Sequence, residues 1–378
     1  MLEARHIGAG SSSRTAAGIR QQFSTPETVL GMRYSVDLYR RFPELVGGDR
    51  PPLVQNGYLF LLEGQDAWNA AAQRVQMQRE VGLTEVELLG PQETVDRFPW
   101  VDGQAISGAT WCPTDGFLRP EIVYNDALEA TRRDGAAVHQ HAEVVAARHQ
   151  GGRLSAVQAR GQWFEADVFV DATNAWSPRL ARILDATVLP IAPLKRYLWF
   201  LDRGDAMDPA TLQAMPLVIT PPGAYCRPEN AGSLMAGFAH AAAPEPDFDY
   251  DDQDRVEPDF FHRAGAEGKA VEAWLALAAW LPPVGEFAGI SATTCGYYGT
   301  TPDHNPFLGF DPAVPNLLRL VGFSGHGAMF GPFSAAVALA LVQAGRDLPE
   351  IQVLGRSASL APFRLERPLS GHGERMVI

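Results

Sequence analysis

Cys295-Gly296-Tyr297-Tyr298-Gly299-Thr300-Thr301-Pro302-Asp303, followed at some distance by Gly322-Phe323-Ser324-Gly325-His326-Gly327-Ala328-Met329, is the stretch on which the reading of the fold turns. Between its two halves Leu317–Gly322 reads as a strand, and beyond it a helix is predicted from about Phe333 to Ala344, with Gly345 placed as its stop. Gly325 and Gly327 allow backbone to come close to a flat ligand, and the following helix points its N-terminal amides at the same place. Ala335, Ala336, Ala338 and Ala340 make that helix narrow, which suits packing close to a sheet.

Two further segments repeat the strand–loop–helix pattern. Ala166–Ala172 reads as a buried strand and turns directly into a helix through Asp171-Ala172-Thr173-Asn174-Ala175-Trp176-Ser177-Pro178. A strand-like stub at Leu2–Ala4 passes through Gly8-Ala9-Gly10-Ser11-Ser12-Ser13-Arg14 toward Ala17-Gly18-Ile19-Arg20. Glu3 stands where the acid at the end of a nucleotide-binding strand accepts from ribose hydroxyls, and the Gly/Ser loop offers donors to pyrophosphate. Taken singly, these segments also read as a surface loop and an ordinary strand–helix corner.

The rest of the chain supplies the frame. Ser24 and Glu27 stand at capping-box spacing ahead of a helix carrying Leu30, Tyr34, Leu38 and Phe42, which Pro43 closes. Leu53–Leu62 reads as strand, Asp66–Val81 as a helix stopped by Gly82, and Glu121–Arg133 as a helix ending at Gly135. From Ala137 the pattern becomes short alternating runs, with Gly151-Gly152 as a hairpin turn. Lys195–Leu201, Leu217–Ile219, Tyr225 and Ser233–Phe238 read as strands of an antiparallel sheet. The acidic run Asp247–Asp254 matches no calcium-loop register and reads as a solvated loop.

Composition excludes several classes. A formal net charge of −13 over 378 residues repels phosphate backbones, so no nucleic-acid partner is expected. Cys112, Cys226 and Cys295 are too scattered for a disulfide framework or a metal site. No signal-like N-terminus is evident and the longest apolar run, near Val337–Val342, is too short for a membrane span, so the chain reads as cytoplasmic.

In order and spacing, these segments resemble the D-amino-acid oxidase superfamily of FAD-dependent oxidoreductases from Leu2 to about Gly345, and within it the sarcosine oxidase, glycine oxidase and proline dehydrogenase group. The resemblance implies an α/β fold, α+β overall. An FAD/NAD(P)-binding Rossmann-like domain (1–50, 105–190 and 290–378) would join an antiparallel-sheet substrate domain (51–104 and 191–289). It also implies a strand and G-x-G-x-x-G loop ahead of Leu2, so the chain is read as lacking the first βα unit. Glu3, Gly10, Ser11, Ser12, Arg14, Gly18, Val144, Asn174, Trp176, Gly325, His326, Gly327 and Ala328 fall at cofactor-binding positions. Asn174 replaces the usual glycine of its corner, and Met329 stands where monomeric sarcosine oxidases carry a carboxylate-binding lysine.

Arg20 matches an arginine that holds the substrate carboxylate, the alternative being a surface arginine. Tyr297, Tyr298 and His326 are candidate walls of the catalytic site, the tyrosines reading equally as strand-end core. FAD is expected to be non-covalent, with attachment at Cys295 as the alternative, because the spacing to Pro302-Asp303 differs by one residue from the covalent pattern. The implied reaction is hydride transfer from the carbon beside a neutral amine of a small amino acid or secondary amine, leaving an imine. Dioxygen or an electron-accepting partner subunit would reoxidise the flavin. The competing reading is a truncated or non-catalytic flavoprotein-like scaffold subunit.

Overall fold

A computed structural model describes residues 1–238, 254–370 and 373–376. Its largest sheet has eight strands, in the order Gly289–Thr300, Ala192–Asp202, Ser233–Phe238, Ala224–Asn230, Leu217–Ile219, Tyr58–Leu62, Gly108–Cys112 and Glu87–Leu89. Neighbours are antiparallel except Leu217–Ile219, which runs parallel to Tyr58–Leu62. Gly108–Cys112 and most of Gly289–Thr300 fall, by the sequence reading, in the cofactor segments 105–190 and 290–378. As both are strands of this sheet, the boundaries near residues 105 and 290 run through it rather than beside it.

Period-two alternation gives the sheet two chemically different faces. Along Ala192–Asp202, Leu198 and Phe200 join Tyr58, Phe60, Leu217 and Tyr225 on one face. Tyr197 and Trp199 point the other way, onto Cys295 and the Lys269–Ala278 helix through Ala270 and Ala273. Cross-strand register then sorts the neighbouring strand: Tyr297 lies opposite Lys195 and Tyr298 opposite Leu194, so the adjacent tyrosines face opposite sides.

The parallel element is smaller. Phe169–Asp171 pairs in parallel with Leu317–Val321, whose other neighbour, Phe307–Phe310, is antiparallel. The buried strand expected over Ala166–Ala172 shortens to these three residues, with Val170 52% exposed, because only one of its edges is paired among the described residues. The Leu2–Ala4 stub makes a single parallel bridge, Leu2 to His139. Val144–Gln150 and Arg153–Ala159 form the expected hairpin, with Gly151 and Gly152 both at positive φ in its turn.

Helix Pro26–Arg40 packs on helix Gly327–Ala344, burying Val29, Met32 and Val36 against Phe330, Phe333 and Val337. Gly31 permits the approach, since a Cβ there would lie 3.0 Å from the Phe333 ring. The alanines of the second helix were expected to face a sheet. Instead Ala335 is exposed and Ala336, Ala338 and Ala340 are half-buried, because the phenylalanines occupy the inward stripe. By length and composition alone this is one helix, among the described residues, able to cross a membrane; 39% of it is buried.

The capping box does not form. Thr25 is the N-cap residue and makes no side-chain cap bond, Pro26 is the first helical residue, and Ser24 is engaged elsewhere, by Glu374. The run 247–253 lies outside the described residues; Asp254 pairs with Arg5 and Arg14.

Candidate active site

Strand Gly289–Thr300 is where the three sequence segments meet. Ser11 Oγ, in the short 3-10 turn Gly10–Ser13, donates to the Tyr297 carbonyl at 2.5 Å. Asn174 sits at φ +48 with Oδ1 accepting from the amides of Gly322 and Phe323, at 3.0 and 3.1 Å. Its side chain therefore bridges two loops. Gly299 makes room for it, as a Cβ there would lie 2.7 Å from Oδ1. Ser324 N donates to the Gly299 carbonyl at 2.9 Å, and Gly325, at φ +85, passes so close to Tyr298 that a Cβ would sit 2.4 Å from the ring. Trp176 meets Tyr297 edge-on at 6.1 Å.

On the face that carries Tyr298 lies a small cavity of about 40 Å³, lined among others by Arg20, Tyr58, Tyr225, Tyr298, His326 and Met329. Arg20 follows the strand Gly18–Ile19, which pairs with Gly116–Phe117. It is not a surface residue: its exposure is 0%, and its guanidinium lies 4.2 Å from the Phe23 ring centre and 5.2 Å from that of Phe60. Nη1 donates to the Gln22 carbonyl at 3.1 Å, while Nη2 lies 3.1 Å from His326 Nε2 and also donates to the Met376 carbonyl. Nε is buried without a partner. Burial lowers the Arg20 pKa, opposed by the charges of Tyr58, Glu374 and Asp115.

Burial, with Arg20 and His304 nearby, also holds the His326 pKa well below the usual imidazole range. The ring is neutral at pH 7, so Nε2 accepts from Arg20 and the proton resides on Nδ1, which is buried and unpartnered. Burial raises Tyr58, Tyr225 and Tyr298 above the usual phenol range, so all three stay protonated. Beneath them Asp115, at 0% exposure, accepts from the Gln21 amide at 2.9 Å and from the side chains of Gln21 and Gln22 at 2.9 and 3.2 Å. Its pKa is pushed up to about 6 by desolvation, against these hydrogen bonds.

The remaining predicted residues are divided between this cavity and other places. Gly18, Gly325, His326 and Ala328 line it. Tyr297 does not, lying on the helix-covered face with its ring 5.7 Å from Lys195 Nζ. Cys295 shares that face and donates to the Arg255 carbonyl at 3.3 Å, which turns its sulfur away from the Arg20 cavity. Glu3 is half-buried and accepts from the Arg5 amide at 2.8 Å. Val144 and Leu2 pack into one cluster around Leu154 and Leu317, so Glu3 and Val144 belong to the same end of the molecule. Gly10, Ser12 and Arg14 lie in or beside the Ser11 turn, and Arg14 pairs with Asp254.

Tyr58, Tyr225 and Asp115 escaped the sequence reading. The tyrosines lie within segments predicted to be strand, where alternation shows a face but not which face meets a site. Pro113-Thr114-Asp115-Gly116 reads as a turn and conceals the carboxylate's burial.

The site fits a flavin nucleotide on three observations of this structure. The 18-residue helix Gly327–Ala344 has no side-chain cap at its N-terminus, leaving first-turn amides for an acceptor. The loop before it needs glycine at residue 325 for lack of space, and His326 Nδ1 is an orphaned buried donor. Gly8 and Gly10, both at positive φ, make the second loop, where bulk is equally excluded at Gly8 by Tyr124, 2.8 Å from a built Cβ.

Residues 1–341 match the model of the FAD dependent oxidoreductase (DAO) family. The chain belongs to that family, and FAD is its cofactor. It is 30% identical to FAD-dependent oxidoreductase domain-containing protein 1 of Xenopus laevis, over 89% of this chain and 71% of that protein. With the glycine oxidase of Geobacillus kaustophilus identity is 25% over 99% of this chain and 91% of the relative. Among solved structures, L-proline dehydrogenase from P. horikoshii superposes with a TM-score of 0.79 at 26% identity, covering 92% of this chain and 87% of that one.

Proposed function

We propose that this chain oxidises the C–N bond of a small amino acid or secondary amine to an imine, with the substrate carboxylate held by Arg20. The observation that carries the reading is a fully buried guanidinium, without a directly bonded carboxylate among the described residues, whose Nε faces no acceptor in an aromatic cavity. A buried cation of this kind calls for an anion, and a guanidinium offers a carboxylate two parallel donors. Relatives named as sarcosine dehydrogenase, glycine oxidase and L-proline dehydrogenase support the substrate class.

Bound FAD would supply the acceptor for a hydride equivalent from the carbon that bears nitrogen, at the loop Gly325–Ala328. The side chains do the positioning. Arg20 fixes one end of the substrate, and neutral His326 holds Nη2 in place without adding a second positive charge. Tyr58, Tyr225 and Tyr298 supply a dry wall and remain uncharged, so none of the three competes as an anion for Arg20. Oxygen or a partner subunit is proposed as the final electron acceptor.

The test is anaerobic flavin bleaching by the FAD-loaded protein, with N-methyl, cyclic and primary amino acids set against their decarboxylated amines. Acids are expected to reduce the flavin faster. Arg20→Lys should lower the rate constant for acids by a factor corresponding to about 2–4 kcal/mol, since ammonium cannot reproduce the fork, and should leave plain amines unaffected. Equal rates for acids in wild type and Arg20→Lys would falsify the assignment.

A further inference from the structure

The segment Gly373–Met376 reaches Arg20 from outside the cavity lining, and the Met376 carbonyl accepts from Arg20 Nη2. We infer that this strap is a displaceable plug: its carbonyl occupies the position a carboxylate takes on Arg20, so that acid binding and strap release are one event. The inference rests on Arg20 being the carboxylate anchor.

Three observations support it. The first is room. A cavity of about 40 Å³ accommodates three or four waters, given that a water needs roughly 10–15 Å³ measured this way, and an amino acid needs more. An acid on Arg20 therefore needs a neighbouring group to move, and the Met376 carbonyl is a group bonded to that guanidinium. The second is the quality of the contact. A neutral carbonyl gives a buried cation one dipole, whereas a carboxylate gives two charged oxygens, so exchange favours the acid.

The third is how the strap is held. Glu374, 3% exposed, accepts from Ser24 N at 3.0 Å, Ser24 Oγ at 2.6 Å and Met376 N at 2.8 Å. Arg375 N donates to Ser24 Oγ at 3.0 Å, and Glu374 N to the Asp303 carbonyl at 3.0 Å. Gly373 lies so near Asp303 that a Cβ would come within 2.5 Å of its carbonyl oxygen. Apart from Met376, which packs against two apolar clusters, the contacts are polar, centred on Ser24 and Asp303, and no helix or strand includes them. Such a segment opens locally at far lower cost than the core. The Ser24 hydroxyl is also the group expected to cap the Pro26–Arg40 helix, and its diversion to Glu374 leaves that helix without a side-chain cap.

The test uses the FAD-loaded full chain with acetate as a non-reacting acid and acetamide as its uncharged control. Hydrogen exchange at the Arg375 and Met376 amides should speed up with acetate and not with acetamide. Where binding requires an open state, apparent affinity falls in proportion to that state's population. Glu374→Ala and, separately, Ser24→Ala should therefore bind acetate on the order of tenfold more tightly, if the strap is closed about nine-tenths of the time. Acetate that binds while leaving those amides unchanged or slower, or both variants binding it no more tightly than wild type, overturns the plug. Arg20→Lys separates the two ideas. If it binds acetate as well as wild type, the anchor itself is wrong; if it loses acetate while the strap amides never respond, only the plug is.

Discussion

Asp115 shows how one residue stabilises a site at a cost that depends on pH. It ties Gln21 and Gln22, the two residues after Arg20, to the sheet through its two oxygens, with no exposure to water. Its folded pKa of about 6 lies above the ordinary carboxylate value, so folding favours the protonated form. The stability it contributes is fully present below the unfolded pKa and is lost as pH rises through about 6. A shift of about two units corresponds to roughly 2–3 kcal/mol across that window. Asp115→Asn cannot ionise, so denaturation curves at pH 4.5 and 7 should differ by about 2 kcal/mol less than those of wild type. An unchanged pH dependence in the variant would assign the shift to another group. Arg20 and His326 were singled out through the family resemblance that Ala17-Gly18-Ile19-Arg20 and Gly325-His326-Gly327-Ala328 carry, and both line one cavity. Asp115 and Tyr225 were not, because burial and facing are properties of the assembled sheet.

At the level of elements, the helix Gly327–Ala344 is positioned by its neighbour rather than by a sheet. Phe333 enters the space left by Gly31, and its amide donates to Ser35 Oγ at 3.3 Å. The direction of the helix, and hence of its uncapped first turn beside Gly325 and His326, follows from that contact. Gly31→Val should push the helices apart and cost about 1–3 kcal/mol, the range for overpacking a filled core. Because the displaced end is the uncapped turn proposed to hold FAD, FAD should also bind more weakly. Thermal unfolding and flavin titration check both effects; stability lost at full FAD affinity would mean the helix ends move independently. The elements themselves were readable from periodicity and glycine stops, including the hairpin at Gly151-Gly152 and the stop at Gly345, which adopts φ +65. Partners across space were less so. An alanine-rich stripe and a phenylalanine stripe on one helix both suggest a packing face, and only the second is buried. Likewise Ser24 carries a capping signature that Glu374, 350 residues away, overrides.

Across the whole molecule, the eight-stranded sheet offers one face to the Arg20 site and the other to helix Lys269–Ala278, while the parallel pair Phe169–Asp171 and Leu317–Val321 is built around a buried charge cluster. Arg319, 0% exposed, donates through Nε to Asp171 at 3.0 Å, and through Nη1 to Asp311 at 2.7 Å and the Thr187 carbonyl at 3.0 Å. Its Nη2 reaches Ser177 Oγ at 2.6 Å, which itself donates to Asp171. One guanidinium thus joins a strand, the corner that carries Asn174, the Thr187 loop and a second strand. Removing it leaves the buried carboxylates of Asp171 and Asp311 without their cation, and this penalty exceeds the net value of the pairs themselves. Arg319→Met should therefore cost about 3–5 kcal/mol. If the loss comes from stranded charge, Arg319→Met combined with Asp171→Asn and Asp311→Asn should recover much of it, even though more hydrogen-bonding groups have been altered. Urea unfolding of the single and triple variants decides between charge and geometry. A triple variant less stable than Arg319→Met would show that the cluster matters for its hydrogen-bond geometry, with Asp171 holding Thr173 through a 2.6 Å contact beside the Asn174 corner. Flavin affinity should then fall with each step, whereas on the charge reading it returns together with stability.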